Sequence, residues 1–152
     1  MIEEKLAKLG LQLPTVPKPV AAYIPAKRAG DLVFVSGQMP LKEGKLLYTG
    51  KVGAECTEKE GYACARLCAL NALAAVKALV GSLDAISAIV QVRGFVNCTP
   101  DFADQPEVIN GASELLVELF GENGRHARAA LGTSSLPRNA PVELELIVCV
   151  RE

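Results

Sequence analysis

A chain of 152 residues, half of them apolar and 22% charged, with a formal net charge of −1, has the size and balance of one globular domain around one core. That balance excludes a disordered chain and argues against tight nucleic-acid binding, which needs a concentrated Lys/Arg surface. The five cysteines (Cys56, Cys64, Cys68, Cys98 and Cys149) are odd in number and follow no disulfide-framework or CxxC spacing.

The first residues, Met1 to Leu9, place Ile2, Leu6 and Leu9 between charges, a short amphipathic helix that Gly10 can end. Lys5, Lys8, Lys18, Lys27 and Arg28 are interleaved with Glu3, Glu4 and Asp31 and read as a solvated face. Pro14, Pro17 and Pro19 make a stiff, extended lead-in. Residues 22–29 and 32–38 read as a strand pair joined at Gly30-Asp31, since both residues tolerate the angles of a tight reversal. Three glycines between Pro40 and Gly53 mark a loop with room for one hairpin.

Thr57-Glu58-Lys59-Glu60 is a capping box. Behind it Ala63, Leu67, Leu70, Ala74, Lys77 and Ala78 recur at helical spacing, up to a stop at Gly81-Ser82. Polar residues interrupt this run, so no clean stretch of about 20 apolar residues suggests a membrane span. Cys64 and Cys68 stand four apart on that helix. A metal or redox pair is one reading; small core residues is the other and the better supported, because buried free cysteine behaves as an apolar side chain. Free thiols and the lack of a signal-like start point to a reducing, cytoplasmic setting.

A long strand is expected over residues 86–98, with Ile86, Ala88, Val90, Val92 and Val96 on one face and Ile89 and Phe95 on the other. A second helix opens at Asp104 or Pro106, with Val108, Ile109, Ala112, Leu115, Leu116 and Leu119 as its buried stripe. A short strand over residues 127–131 follows, and then Val142 to Val150, where Val142, Leu144, Leu146, Val148 and Val150 alternate with Glu143, Glu145, Ile147 and Cys149. The order β-β-α-β-α-β-β puts two helices on one face of a mixed sheet. Nothing in the chain is left to cover the other face, which implies self-association through it.

No Walker loop, GxGxxG, HExxH or GxSxG occurs, and His126 is the only histidine. Arg128 is the most informative residue. It sits among Ala127, Ala129 and Ala130, where its planar fork has space to grip a carboxylate through two hydrogen bonds. The alternative is an ion pair within the chain to Glu143 or Glu145.

Tyr23, the run Val35-Ser36-Gly37-Gln38-Met39-Pro40, the segment Asn97 to Asn110, and the tail Ala127-Arg128 … Leu136-Pro137 … Val142-Glu143-Leu144-Glu145 together resemble the RidA/YjgF family, also called the L-PSP endoribonuclease family. The N-terminal extension and long Pro40 to Gly53 loop resemble its longer-chain subgroup. The resemblance implies an α+β, chorismate-mutase-like fold of the bacillus type, assembled as a homotrimer with clefts between neighbours. It implies a 2-iminobutanoate/2-iminopropanoate deaminase-like hydrolase that turns imines and enamines of amino acids into 2-keto acids and ammonia without metal or organic cofactor. Carried over by position, Arg128 would hold the substrate carboxylate and Glu143 would orient water or manage protons. Tyr23, Ser36, Gly37 and Asn110 would line the cleft. Ala130 replaces a cysteine common in the family. That departure keeps a second reading open, a regulatory trimer that binds a small carboxylate without turnover. Ribonuclease activity is a third, poorly served by the net charge and one histidine.

Overall fold

The computed structural model describes residues 1–18 and 21–152; Pro19 of the expected lead-in lies outside them. In chain order the elements are α1 (Ile2–Lys8), β1 (Ala26–Ala29), β2 (Leu32–Gln38), β3 (Leu41–Lys42), β4 (Lys45–Leu46), α2 (Glu58–Val80), β5 (Ile86–Asn97), α3 (Gln105–Phe120), β6 (Ala127–Thr133) and β7 (Val142–Val150). Five strands form one sheet in the order β1-β2-β7-β5-β6, and β3 and β4 form a separate hairpin. Only β6 runs parallel to its neighbour, β5; the other pairs are antiparallel. The result is an α+β fold with a mixed sheet and both long helices on one face.

Local chemistry explains most boundaries. Gly30 at φ 62° makes the reversal between Ala29 and its partner Leu32. The first strand starts at Ala26, later than residue 22, because the segment before it bends before joining the sheet. The capping box forms as expected: Thr57 Oγ accepts from the Glu60 amide at 3.1 Å, and the Glu60 carboxylate accepts from the Thr57 amide at 2.9 Å. Gly81 closes α2 at φ 95°. That helix is long and apolar enough to cross a membrane by length and composition, but 56% of its apolar window is buried within the fold. The core thus takes up just over half of that window.

The helices approach each other closely at Gly111 of α3, where a Cβ would run into the Tyr62 carbonyl of α2. Gly94 does the same for α3 on the sheet, since a Cβ there would lie 2.5 Å from Ile109 Cδ1. All six residues of the expected α3 stripe are fully buried.

In β7 the alternation holds throughout: Val142, Leu144, Leu146, Val148 and Val150 are buried beneath the helices, and the intervening residues are half-buried on the open face. Each buried side chain contributes roughly 1.5–3 kcal/mol. A slip of one residue would expose all five and push Glu143 and Glu145 inside, so the register is firmly set.

The neighbouring β5 departs from simple alternation. Its pairing with β7 shifts between Ile86 and Ala88 and again between Ile89 and Gln91. Each shift inserts one unpaired residue, a bulge that moves the following side chain to the other face. Ile89 is therefore buried, Ala88 is half-buried on the open side and Val90 is exposed, the reverse of the expected assignment for all three.

Four of the cysteines are buried, and burial pushes the thiols of Cys56 and Cys64 up to about 11 and about 12. Cys68, wholly enclosed, is raised for the same reason. These are inert core side chains rather than a redox pair. Asn97, buried at the end of β5, ties three loops together. Its amide donates to Asn139 Oδ1 at 3.1 Å and to the Ala140 carbonyl at 3.2 Å, and its carbonyl oxygen accepts from Lys51 Nζ at 2.9 Å.

Candidate functional site

The expected site residues gather into two groups. The first lies at the outer edge of the sheet. Arg128 of β6 pairs with Val92, which pairs with Leu146, and both of those point into the helix-covered core. Paired residues share a face, so Arg128 projects toward α3. There its Nη1 donates to Asn110 Oδ1 at 2.7 Å and to Ser113 Oγ at 3.1 Å. The two N–H groups of Nη1 are thus used within the chain. Among the described residues nothing bonds to the Nε–H and Nη2 groups, which form the side-on edge suited to a carboxylate.

Ala130 stands two residues along the same strand face, half-buried against the core. Its methyl adds little bulk beside the Arg128 side chain. Asn110 therefore serves the arginine and not its own helix backbone.

Behind Arg128 the bonding continues. Ser113 Oγ lies 2.9 Å from His126 Nε2, and His126 Nδ1 lies 2.6 Å from the Gly124 carbonyl oxygen. Burial holds the imidazole below its ordinary pKa and the Arg128 charge adds to this, while the Gly124 bond opposes both. Ser113 and His126 were not among the expected site residues. Spacing carried the signal: Ser113 is one helical turn beyond Asn110, and His126 is two residues before Arg128, the same-face period of a strand.

The second group lies at the β2–β7 junction. The pairing of β2 with β7 is irregular between Val35 and Gln38, so Ser36-Gly37 forms a bulge, not a tight turn. A Cβ on Gly37 would sit 2.5 Å from Glu143 Oε2. Glycine is what lets the Glu143 carboxylate lie against this backbone. Ser36 Oγ donates to the Ile24 carbonyl oxygen at 2.6 Å and so pins the segment bearing Tyr23, whose side chain is 59% exposed. The Glu143 carboxyl is raised above its ordinary value, by partial burial first and by the Glu145 charge second.

The two groups cannot meet within one chain. Glu143 pairs with Phe95, and Phe95 with Leu131, on the open face, whereas Arg128 is on the helix face. Two strand spacings and three residue steps separate their backbones by about 14 Å. The ion pair of Arg128 with Glu143 or Glu145 does not form; Glu145 instead lies 3.6 Å from Arg93. The open face carries exposed Phe34 and Leu131, with half-buried Ile147 and Cys149 on the central strand β7. A hollow of about 360 Å³ there is lined by Lys27, Phe34, Ser36, Gln91, Arg93 and Glu145, and does not include Arg128. No group of three or more His, Cys, Asp or Glu side chains among the described residues is arranged to hold a metal.

This mixed five-stranded sheet backed by two helices, with an arginine-bearing edge strand, is matched over nearly its whole length by one class, the YjgF/chorismate-mutase-like proteins. The family model described as "YjgF/chorismate_mutase-like, putative endoribonuclease" matches residues 3–149. Protein TCP17 of Trypanosoma cruzi is 40% identical over 97% of this chain and 92% of its own length. A crystal structure of protein Atu1372 from Agrobacterium tumefaciens, of unknown function, superposes with a TM-score of 0.92 at 46% identity, covering 99% of this chain and 92% of that one. A 2-iminobutanoate/2-iminopropanoate deaminase of Dermatophagoides farinae is 28% identical over 92% of this chain and 94% of its own. The chain belongs to the RidA/YjgF family.

Proposed function

We propose that the protein is a hydrolytic deaminase of reactive 2-imino and enamine acids, working as a homotrimer whose sites lie between subunits. The observation that carries this reading is the division of the site residues: an unfilled guanidinium edge at one place on the chain and a carboxylate laid on glycine backbone at another. A small ligand can touch both only if they come from two copies. The uncovered apolar face of the sheet supports such an assembly. The deaminase name of the relative from Dermatophagoides farinae supports the reaction class.

In this reading the Nε and Nη2 groups of Arg128 hold the substrate carboxylate. The adjacent imine carbon then lies beside Glu143 of a neighbouring subunit. Ionised Glu143 takes a proton from water as the water oxygen bonds to that carbon. Proton transfer to nitrogen and collapse of the resulting carbinolamine release ammonia and leave a 2-keto acid. The imine is already electrophilic, so anchoring and one proton acceptor suffice. A carboxylate whose proton affinity is raised by burial is a better base than an exposed one.

Ammonia release from 2-aminoacrylate generated in situ tests the reading. Wild type should accelerate release, and Arg128→Ala should lose at least about 100-fold of that acceleration. Wild-type release at the background rate, or an undiminished Arg128→Ala variant, would refute it. The second reading, binding of a small carboxylate without turnover, draws on Ala130 in place of a thiol. It predicts calorimetric binding of 2-ketobutyrate that Arg128→Ala abolishes, with no ammonia from wild type. The ribonuclease reading draws on the wording of the family model, but the site offers it little: His126 is engaged by Gly124 and Ser113.

A further inference from the structure

The bonds behind Arg128 have a direction fixed by chemistry. The Gly124 carbonyl oxygen can only accept, so the short contact at 2.6 Å requires the proton of His126 to be on Nδ1. In the neutral ring Nε2 is then a bare acceptor. Its partner at 2.9 Å is the Ser113 hydroxyl, which must donate to it. A hydroxyl with its proton so committed turns its lone pairs elsewhere, and Arg128 Nη1 lies 3.1 Å away to donate to them. Asn110 Oδ1 takes the other Nη1 proton at 2.7 Å.

We propose that Ser113 and His126 are positioning residues for the anion anchor. Neutral, Nδ1-protonated His126 takes the Ser113 proton, Ser113 presents a lone pair to Nη1, and Ser113 and Asn110 together clamp one end of the guanidinium. The clamp fixes the plane of the fork and leaves the Nε–Nη2 edge unpaired. This inference rests on the reading of Arg128 as a carboxylate anchor and adds which residues make that anchor rigid.

The arrangement reduces the ordering that an exposed arginine must undergo when it binds. An unclamped guanidinium on its flexible stem loses rotamer freedom with each ligand captured; a clamped one has lost it already. The clamp therefore acts on affinity and KM more than on kcat, because it touches the carboxylate end of the substrate and not the reacting carbon.

His126 is the only histidine, so its ring is the sole imidazole signal in proton–nitrogen correlation spectra of the labelled protein. At neutral pH those spectra should show the Nδ1–H tautomer, and 2-ketobutyrate should perturb the ring signals. In calorimetry, Ser113→Ala and His126→Leu should each weaken 2-ketobutyrate binding about 5- to 10-fold, the loss of one hydrogen bond in the clamp. Kinetics should show a matching rise in KM with kcat changed less than about twofold. Ser113→Thr and His126→Gln, which keep a hydroxyl and an acceptor, should restore most of the affinity. An Nε2–H tautomer in wild type overturns the proposal whether or not the variants fold. Unchanged affinity in Ser113→Ala, with binding abolished in Arg128→Ala, overturns the clamp and leaves the anchor standing. Unchanged affinity in Arg128→Ala removes both.

Discussion

The outer edge around Arg128 and the β2–β7 junction around Glu143 solve opposite physical problems. At the edge, a cation is exposed and three polar side chains hold it in place. At the junction, a carboxylate is half-buried with a second carboxylate near it, and a missing side chain at Gly37 makes the room. One group is ordered by what bonds to it, the other by what has been left out. A ligand that uses both would meet a charge already aimed and a base whose proton is held more tightly than usual.

Replacing the carboxylate breaks the comparison most completely. Glu143→Gln keeps the shape and removes the proposed base, and kcat should fall about 1000-fold in the ammonia assay. Mixed with Arg128→Ala and reassembled, it should regain activity, because in the proposed trimer each mixed assembly would have one cleft with an intact arginine facing an intact glutamate. No recovery would mean that both groups act from the same chain or that the assembly is different. In wild type the rate should fall as pH drops through the raised carboxyl pKa, and this inflection should vanish in Glu143→Gln. A folded-state pKa above the unfolded one makes Glu143 a liability to stability once pH rises through the folded value. Glu143→Gln should therefore melt at an equal or higher temperature than wild type at neutral pH.

A second substitution attacks the edge alone. In Gly111→Ala the new methyl meets the Tyr62 carbonyl and forces α3 off α2. Stability should drop by about 2–3 kcal/mol, seen as a Tm lower by about 5–10 °C. Because Asn110 and Ser113 move with α3, carboxylate affinity should weaken as well.

The smallest effect is expected from Gly37→Ala, whose Cβ displaces the Glu143 carboxylate while the backbone angle stays ordinary. A loss of about 10- to 100-fold in kcat with Tm nearly unchanged would mark the junction as a site tuned for position. A large fall in Tm instead would assign Gly37 to packing.

Much of this was legible in the sequence where one local rule governs. The α2 capping box, the α3 stripe and the β7 alternation follow from spacing alone, and each matches its element. The edge strand was placed, with Arg128 as its notable residue. What stayed hidden depends on pairing between distant segments. The β5 faces are set by where β7 can bond, so Ile89 and Val90 exchange places against simple alternation. The separation of Arg128 from Glu143 needs both the strand order and the face of each strand. Ser113 and His126 were visible only as spacings until the fold brought α3 over β6.

The two bulges of β5 also bear on how the gene for this strand can change length. Each extra residue shifts the reading of inside and outside by one, and the second shift cancels the first. Loss of a single codon between residues 87 and 90 would leave one shift uncancelled and turn either the Ile86 or the Val92 end of the strand inside out. Loss of both extra residues would restore phase at once. Length variation here should therefore be inherited in pairs, a parity constraint written into the strand by its partner's spacing.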